Sequence, residues 1–243
     1  AFLFQMKLEN VLNETSYQNK VKRLQTEISS SKGVIQSVYR WYYVKTLLSA
    51  YDSKQSYWRR NQLVETITTS LPKEIDLWSQ NQFKEEIVKQ ARLLFQNESI
   101  LKNTKISTIK DLVEYDNIQN NLNQSVYEFF DYTFFKDYAY SFRDQNFLTK
   151  EIKDFSADFS TKRIAFPSKS DEVRQELGKF ALEVVQKLEK HYNTTQQFQA
   201  LDKIRLERFN TFYSNVTSDD EAFQSLGKNL QTNFYKNRWQ AMY

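Results

Sequence analysis

Apolar residues recur every three or four positions along most of this chain, the period of a helix with one buried face. The pattern is clearest from Asp171 to Tyr192, where Val173, Leu177, Phe180, Ala181, Val184 and Leu188 fall on one side. Ser170 stands where an N-cap belongs, just after the break at Pro167. A second helix is expected from Ser31 to Asp52, with Val34, Val38, Trp41, Tyr42, Lys45 and Leu48 as its buried stripe and the Lys45 amine reaching water from that stripe. Ser79 and Gln82 have capping-box spacing and start a third, followed in register by Phe83, Ile87, Ala91, Leu94 and Phe95. Ser218 and Glu221 repeat that spacing before Phe223, Leu226, Leu230 and Phe234, and Gly227 within that last helix leaves room for a close neighbour.

The stretch from Gln124 to Arg143 is apolar almost all round, which predicts a central helix. Thr195 to Tyr213 places Phe198, Leu201, Arg205, Phe209 and Phe212 together, and Phe2 to Leu12, Tyr17 to Ile28, Ser56 to Thr69 and a weaker Ser107 to Ile118 supply the remaining helices. The expectation is an all-α chain of about nine helices in antiparallel hairpins, as a helical-repeat, tetratricopeptide-like array or an irregular bundle. No clean 34-residue repeat supports the array in particular. The least helical segment is 147–167, where Ser, Thr and Asp interrupt the pattern and Pro167 pushes Phe166 towards an extended backbone. Phe155, Phe159, Ile164 and Phe166 make it too apolar for a free tether. It reads as an ordered, non-helical strap between a sub-bundle over 1–146 and another over 168–243.

Composition narrows the chemistry. Among 243 residues there are 3 Gly and 2 Pro, which excludes a glycine-rich phosphate-binding loop and argues against turn-rich β folds. The absence of Cys removes thiolate zinc sites, iron–sulfur clusters and cysteine nucleophiles, and one His rules out an imidazole-rich metal site. That residue, His191, sits near a helix C-terminus, where capping of carbonyls and the helix dipole account for it better than a role as general base. Glu189 lies two positions before it, and the Glu-x-x-His spacing of di-iron bundles meets Leu188 instead. Glu85 and Glu86 diverge by about 100 degrees around a helix. The run Asp219, Asp220, Glu221 belongs in a first turn, so solvated or capping roles are expected for all five acids.

Tyr57, Trp58, Arg59 and Arg60 mix stacking rings with cations, as single-stranded nucleic acid recognition does. A net charge of +4 with no basic stripe argues against that use and for Trp58 as core. The 15 Tyr residues fit a surface half-buried against a protein partner. A mean hydropathy of −0.71 and no run of roughly 18 apolar residues give no membrane span, since Asp131, Lys136 and Asp137 interrupt even the densest aromatic run. The opening AFLFQMKLENVL has no initiator Met, basic region or cleavage site and reads as the start of an excised fragment. Accordingly no catalytic, cofactor-binding or metal residue is assigned, and a protein is the expected partner, with neither nucleic acid nor direct membrane insertion expected.

The order of segments resembles the helical N-terminal region that precedes the macroglobulin domains of large bacterial alpha-2-macroglobulin-like proteins. The opening AFLFQMKLENVL, KVKRLQTEIS and SVYRWYYVKTLLSAY are similar to the first helices of that region. The segment from Asp76 to Lys102 resembles its Asp-x-Trp helix entry, SVYEFFDYTFFKDY its aromatic helix, and ALDKIRLERFNTFYSNV with its successor the final pair. Glu128 stands where that aromatic helix usually carries Asp. The resemblance implies a non-catalytic scaffold or interaction segment of a peptidase-inhibitor family in the periplasm or at the cell surface. Its implied partners are the other domains of the parent protein and proteases. The thioester of many members needs a Cys that this chain lacks, so no functional residue is carried over. The alternatives are an independent helical-repeat module that binds a protein and, beyond it, a helical nucleic-acid binder or enzyme.

Overall fold

A computed structural model describes residues 16–61, 71–113, 124–141 and 172–213. Every regular element among them is helical: α1 (Tyr17–Ser30), α2 (Gly33–Asn61), α3 (Gln80–Leu94), α4 (Glu98–Asn103), α5 (Val126–Tyr138), α6 (Glu172–Thr194) and α7 (Phe198–Tyr213). The chain forms two compact units, Ala1–Asp131 and Tyr132–Tyr243, so the division falls inside α5. The strap expected over 147–167, the first helix expected over Phe2 to Leu12, the caps at Ser170 and Ser218 and the last helix lie outside the described residues.

In the first unit, Ser16 caps α1 by accepting from the Asn19 amide at 3.4 Å, and Lys20, Val21, Leu24 and Ile28 form its buried stripe. The Gln36 side chain donates to the Ile28 and Ser31 carbonyls at 2.9 and 3.0 Å, satisfying the end of α1 from the start of α2. Gly33 makes this tight connection at φ +60, a backbone that side-chain-bearing residues seldom adopt.

Two helices were expected over Ser31 to Asp52 and Ser56 to Thr69, yet α2 continues through Asp52 and Ser53 to Asn61. It packs against α1, α3 and α4, so its burial is wider than one stripe. Val38, Trp41 and Leu48 are buried as expected, and so are Tyr43, Val44, Leu47, Ala50 and Tyr51, which the stripe omitted. Lys45 lies outside the buried set and folds its amine 4.6 Å over the Trp41 ring. In α3 the capping box forms in full, with the Gln82 amide on Ser79 Oγ at 3.2 Å and the Ser79 amide on Gln82 Oε1 at 2.9 Å.

The weak helix expected over Ser107 to Ile118 is instead a 3-10 turn, Ile106–Thr108, followed by turns to Val113, and 114–118 lie outside the described residues. Its start is tied to the start of α5. The Ile106 amide donates to the Gln124 carbonyl at 3.1 Å and the Val126 amide to the Thr104 carbonyl at 2.8 Å, an antiparallel bridge between Lys105 and Ser125. A second capping box opens α5: Glu128 Oε2 accepts from the Gln124 and Ser125 amides at 2.6 and 2.8 Å, and Ser125 Oγ accepts from the Glu128 amide at 3.2 Å. Burial around α5 is nearly complete, from Val126 through Phe135 with Thr133 half-exposed. Each fully buried ring there contributes about 1.5–3 kcal/mol.

In the second unit α6 packs against α7 and against the 3-10 turn Ala139–Ser141 that ends α5. All six stripe residues of α6 named from the sequence are buried. Phe134 stacks on Tyr138 and Phe180 with ring centroids 4.6 and 5.4 Å apart. A three-residue connection, 195–197, joins α6 to α7, with Gln196 at φ 58 and the Gln197 amide on the Tyr192 carbonyl at 2.9 Å. Among the described side chains of α7, Ala200, Leu201, Ile204 and Arg208 are buried, whereas Phe198 and Arg205 of the expected stripe are partly exposed and the side chains of Phe209 and Phe212 lie outside the described residues. Arg208 meets Glu189 of α6.

Candidate functional site

The polar residues of the first unit that have most chemistry to offer converge inside it. From α1, Gln25 donates to the Tyr43 hydroxyl of α2 at 2.8 Å, and that hydroxyl hydrogen-bonds the Glu86 carboxylate of α3. Gln90 donates to Glu86 Oε1 at 2.8 Å and accepts from the Arg40 guanidinium on α2. Arg40 and Glu86 are only 9% and 7% exposed. The amide of Gln90 thus bridges a buried cation and a buried anion, with its donor towards the anion and its acceptor towards the cation. Burial lowers the pKa of Arg40, and the charge of Glu86 opposes that shift. Burial first, and then Glu86, raise the pKa of Tyr43, so its hydroxyl stays protonated as a donor. This ladder corrects the expectation that Glu86 is solvated or capping, which holds only for its neighbour: Glu85 is exposed. Every carboxylate, amide and hydroxyl in it is engaged by another protein group, so the arrangement fixes the register of three helices.

The segment 71–78, which leads into α3, carries exposed apolar residues beside buried ones. Trp78 Nε1 donates to the Pro72 carbonyl at 2.8 Å, and its ring joins a cluster with Phe83, Trp58 and Tyr51. Trp58 belongs to this cluster while remaining half-buried, and the side chains of Arg59 and Arg60 lie outside the described residues. Gln18, at the start of α1, and Lys54, three residues before Tyr57 on α2, bond the backbone of this connection. The elements so joined carry Leu77 at 66% exposure, Tyr57 at 54%, and the partly exposed Tyr17 and Leu71. Leu77 stands between buried Ile75 and Trp78, and an apolar side chain held outward on a fixed backbone is suited to a protein contact. Leu77 was not singled out from the sequence, because nothing in its spacing separates it from the buried Ile75.

In the second unit Glu189 pairs with Arg208 at 2.7 Å and with Arg205 at 3.8 Å. Its role is to join α6 to α7 rather than to serve the imidazole two residues on. His191 lies one turn before the end of α6, its ring 5.8 Å from that of Tyr192, and its carbonyl accepts from the Thr195 amide and hydroxyl. Lys136 pairs with Glu207 at 2.8 Å. Burial, reinforced by Glu207, pushes the Tyr132 pKa up to about 12. Burial and Asp137 raise that of Tyr138. The acids Asp219, Asp220 and Glu221 lie outside the described residues.

Among the described residues no three His, Asp or Glu side chains gather as metal ligands, and no helix is long and apolar enough to cross a membrane. No protein-family model, no curated protein and no solved structure matches this chain.

Proposed function

We propose that this chain is a non-catalytic helical scaffold that meets another protein through the end of its first unit bearing Tyr17, Tyr57, Leu71 and Leu77. The observation that supports it is the exposure of Leu77 on a connection whose backbone is pinned by Gln18 and Lys54. Holding an apolar side chain outward in this way gives the scaffold nothing in stability and lowers the ordering cost of a contact. The ionisable groups of the ladder and of the Glu189 pair are committed to joining helices, which agrees with a structural task.

Within this reading, the order of the helical segments supports an origin in a bacterial alpha-2-macroglobulin-like protein of the periplasm or cell surface. The occupant of the exposed end is then a neighbouring domain of the same polypeptide. The reading frame on either side tests the origin: macroglobulin-type β-sandwiches downstream support it, and an immediate stop codon refutes it. The surface is tested separately. Because these 243 residues hold no Cys, Leu77→Cys gives them a single thiol for a photo-cross-linker, with any Cys elsewhere in the full-length protein replaced by Ser. Cross-links to a neighbouring domain from position 77, but not from Lys89→Cys on the exposed side of α3, are the expected result. Equal yields at both, or none at 77, overturn the assignment of the surface.

A further inference from the structure

The connection 71–78 is held to the helices around it by a few side-chain bonds. Of its eight residues only Ile75 and Trp78 are buried. Its own hydrogen bonds are short-range: the Leu77 amide to the Glu74 carbonyl at 3.0 Å, the Trp78 amide to the Ile75 carbonyl at 3.2 Å, and the Trp78 indole to the Pro72 carbonyl. Among the described residues its hydrogen bonds and ion pairs to the helices come from two side chains. The Gln18 amide donates to the Lys73 carbonyl at 3.0 Å and accepts from the Ile75 amide, satisfying one backbone strand edge as a neighbouring strand would. Lys54 Nζ donates to the Ile75 and Asp76 carbonyls at 3.2 and 2.7 Å, at the C-terminal end of the 3-10 turn where a cation is favoured, and lies 3.3 Å from the Asp76 carboxylate. Beneath Trp78 lies Phe83, fully buried at a ring distance of 5.1 Å, with Tyr51 and Trp58 packed on the Phe83 ring in turn.

We propose that residues 71–78 form a hinged cover, turning about the capped start of α3 at Ser79, with Gln18 and Lys54 as its two-point latch. The Ser79–Gln82 box keeps α3 intact when the cover lifts, because its bonds lie on the helix side of the hinge. Opening detaches Ile75 and Trp78 and uncovers the Phe83 ring on which Trp78 packs, leaving the α1–α2–α3 ladder closed. Such a segment opens with a free energy below that of global unfolding, and each latch residue acts on the whole segment. This device stands irrespective of which partner, if any, meets Leu77.

Amide hydrogen exchange of the full chain tests it. In the parent protein the Ile75 and Trp78 amides exchange faster than those of Ile87 and Ala91 in α3. Lys54→Met does not touch the Ile75 amide's own bond, yet it speeds exchange at Ile75 and Trp78 roughly tenfold, the effect of losing about one to two hydrogen bonds. Ile87 and Ala91 keep their rates, and Lys54→Arg, which retains the donors, stays within about twofold of the parent at all four amides. Gln18→Ala speeds Trp78 in the same way. Unchanged exchange at Ile75 in Lys54→Met, or equal acceleration at all four amides, overturns the proposal, the first by showing no coupling and the second by showing no separate opening.

Discussion

Replacing Gln90 by Leu tests the buried ladder where it carries most. The substitution keeps the side-chain volume but deletes both the donor to Glu86 and the acceptor for Arg40, each of which is more than nine-tenths buried or at that limit. A hydrogen bond to a charged group contributes about 1.5–3 kcal/mol, so two account for roughly 3–6 kcal/mol. The added apolar burial of Leu returns on the order of 1 kcal/mol. The expected net loss is therefore about 2–5 kcal/mol, a large part of the roughly 5–15 kcal/mol that holds a typical domain together. Urea unfolding followed by far-ultraviolet circular dichroism reads this as a lower midpoint with little change in slope. Combining it with Arg40→Met and Glu86→Leu removes the stranded charges and regains a good part of the loss, since the penalty comes from leaving ions buried without partners. A Gln90→Leu loss below about 0.5 kcal/mol, or a triple variant weaker than the single one, refutes the reasoning.

Glu128→Ala strips the acceptor from the Gln124 and Ser125 amides and is expected to cost about 1–3 kcal/mol in chemical unfolding, with Glu128→Gln milder because one carbonyl oxygen remains. Gln196→Gly relieves a left-handed backbone and should stabilise the α6–α7 hairpin by about 0.5–1 kcal/mol, seen as a higher melting temperature, whereas Gly33→Ala, at the same kind of backbone, lowers it by about 1 kcal/mol or more. The raised pKa values of Tyr43, Tyr132 and Tyr138 favour the neutral phenol in the folded state. Their contribution is complete below the ordinary value of about 10 and is lost as pH rises past it, for Tyr132 over the window from 10 to about 12. Phenolate absorbance should therefore show these rings ionising late and together with unfolding; ionisation of all 15 Tyr near pH 10 in a still-folded protein would contradict the burial.

The all-α class and several elements were legible because one-sided burial leaves a periodic trace. The six-residue stripe of α6 and the Ser79–Gln82 box are examples in which local spacing and final environment coincide. Helix α2 was legible only in part: packed on several sides, it buries Tyr43, Val44, Leu47 and Tyr51 beyond any single stripe, and the polar step Asp52-Ser53 looked like a break although tertiary packing carries the helix through. The Ser125–Glu128 box is present in the sequence as Ser-x-x-Glu, one residue inside the helix start that the apolar run from Gln124 suggests. The ladder left no local signal at all. Its members, Gln25, Arg40, Tyr43, Glu86 and Gln90, come from three helices, and only the folded chain brings them within hydrogen-bond reach.

The bridge between Lys105 and Ser125 stitches together two points of the backbone twenty residues apart, directly beside α4 and α5. The chain leaving that stitch is itself anchored, since Ile106, Ile109 and Val113 are buried and the Leu112 carbonyl accepts from the Tyr42 hydroxyl at 2.6 Å, so an insertion at 106–113 costs buried apolar contacts as well as loop entropy.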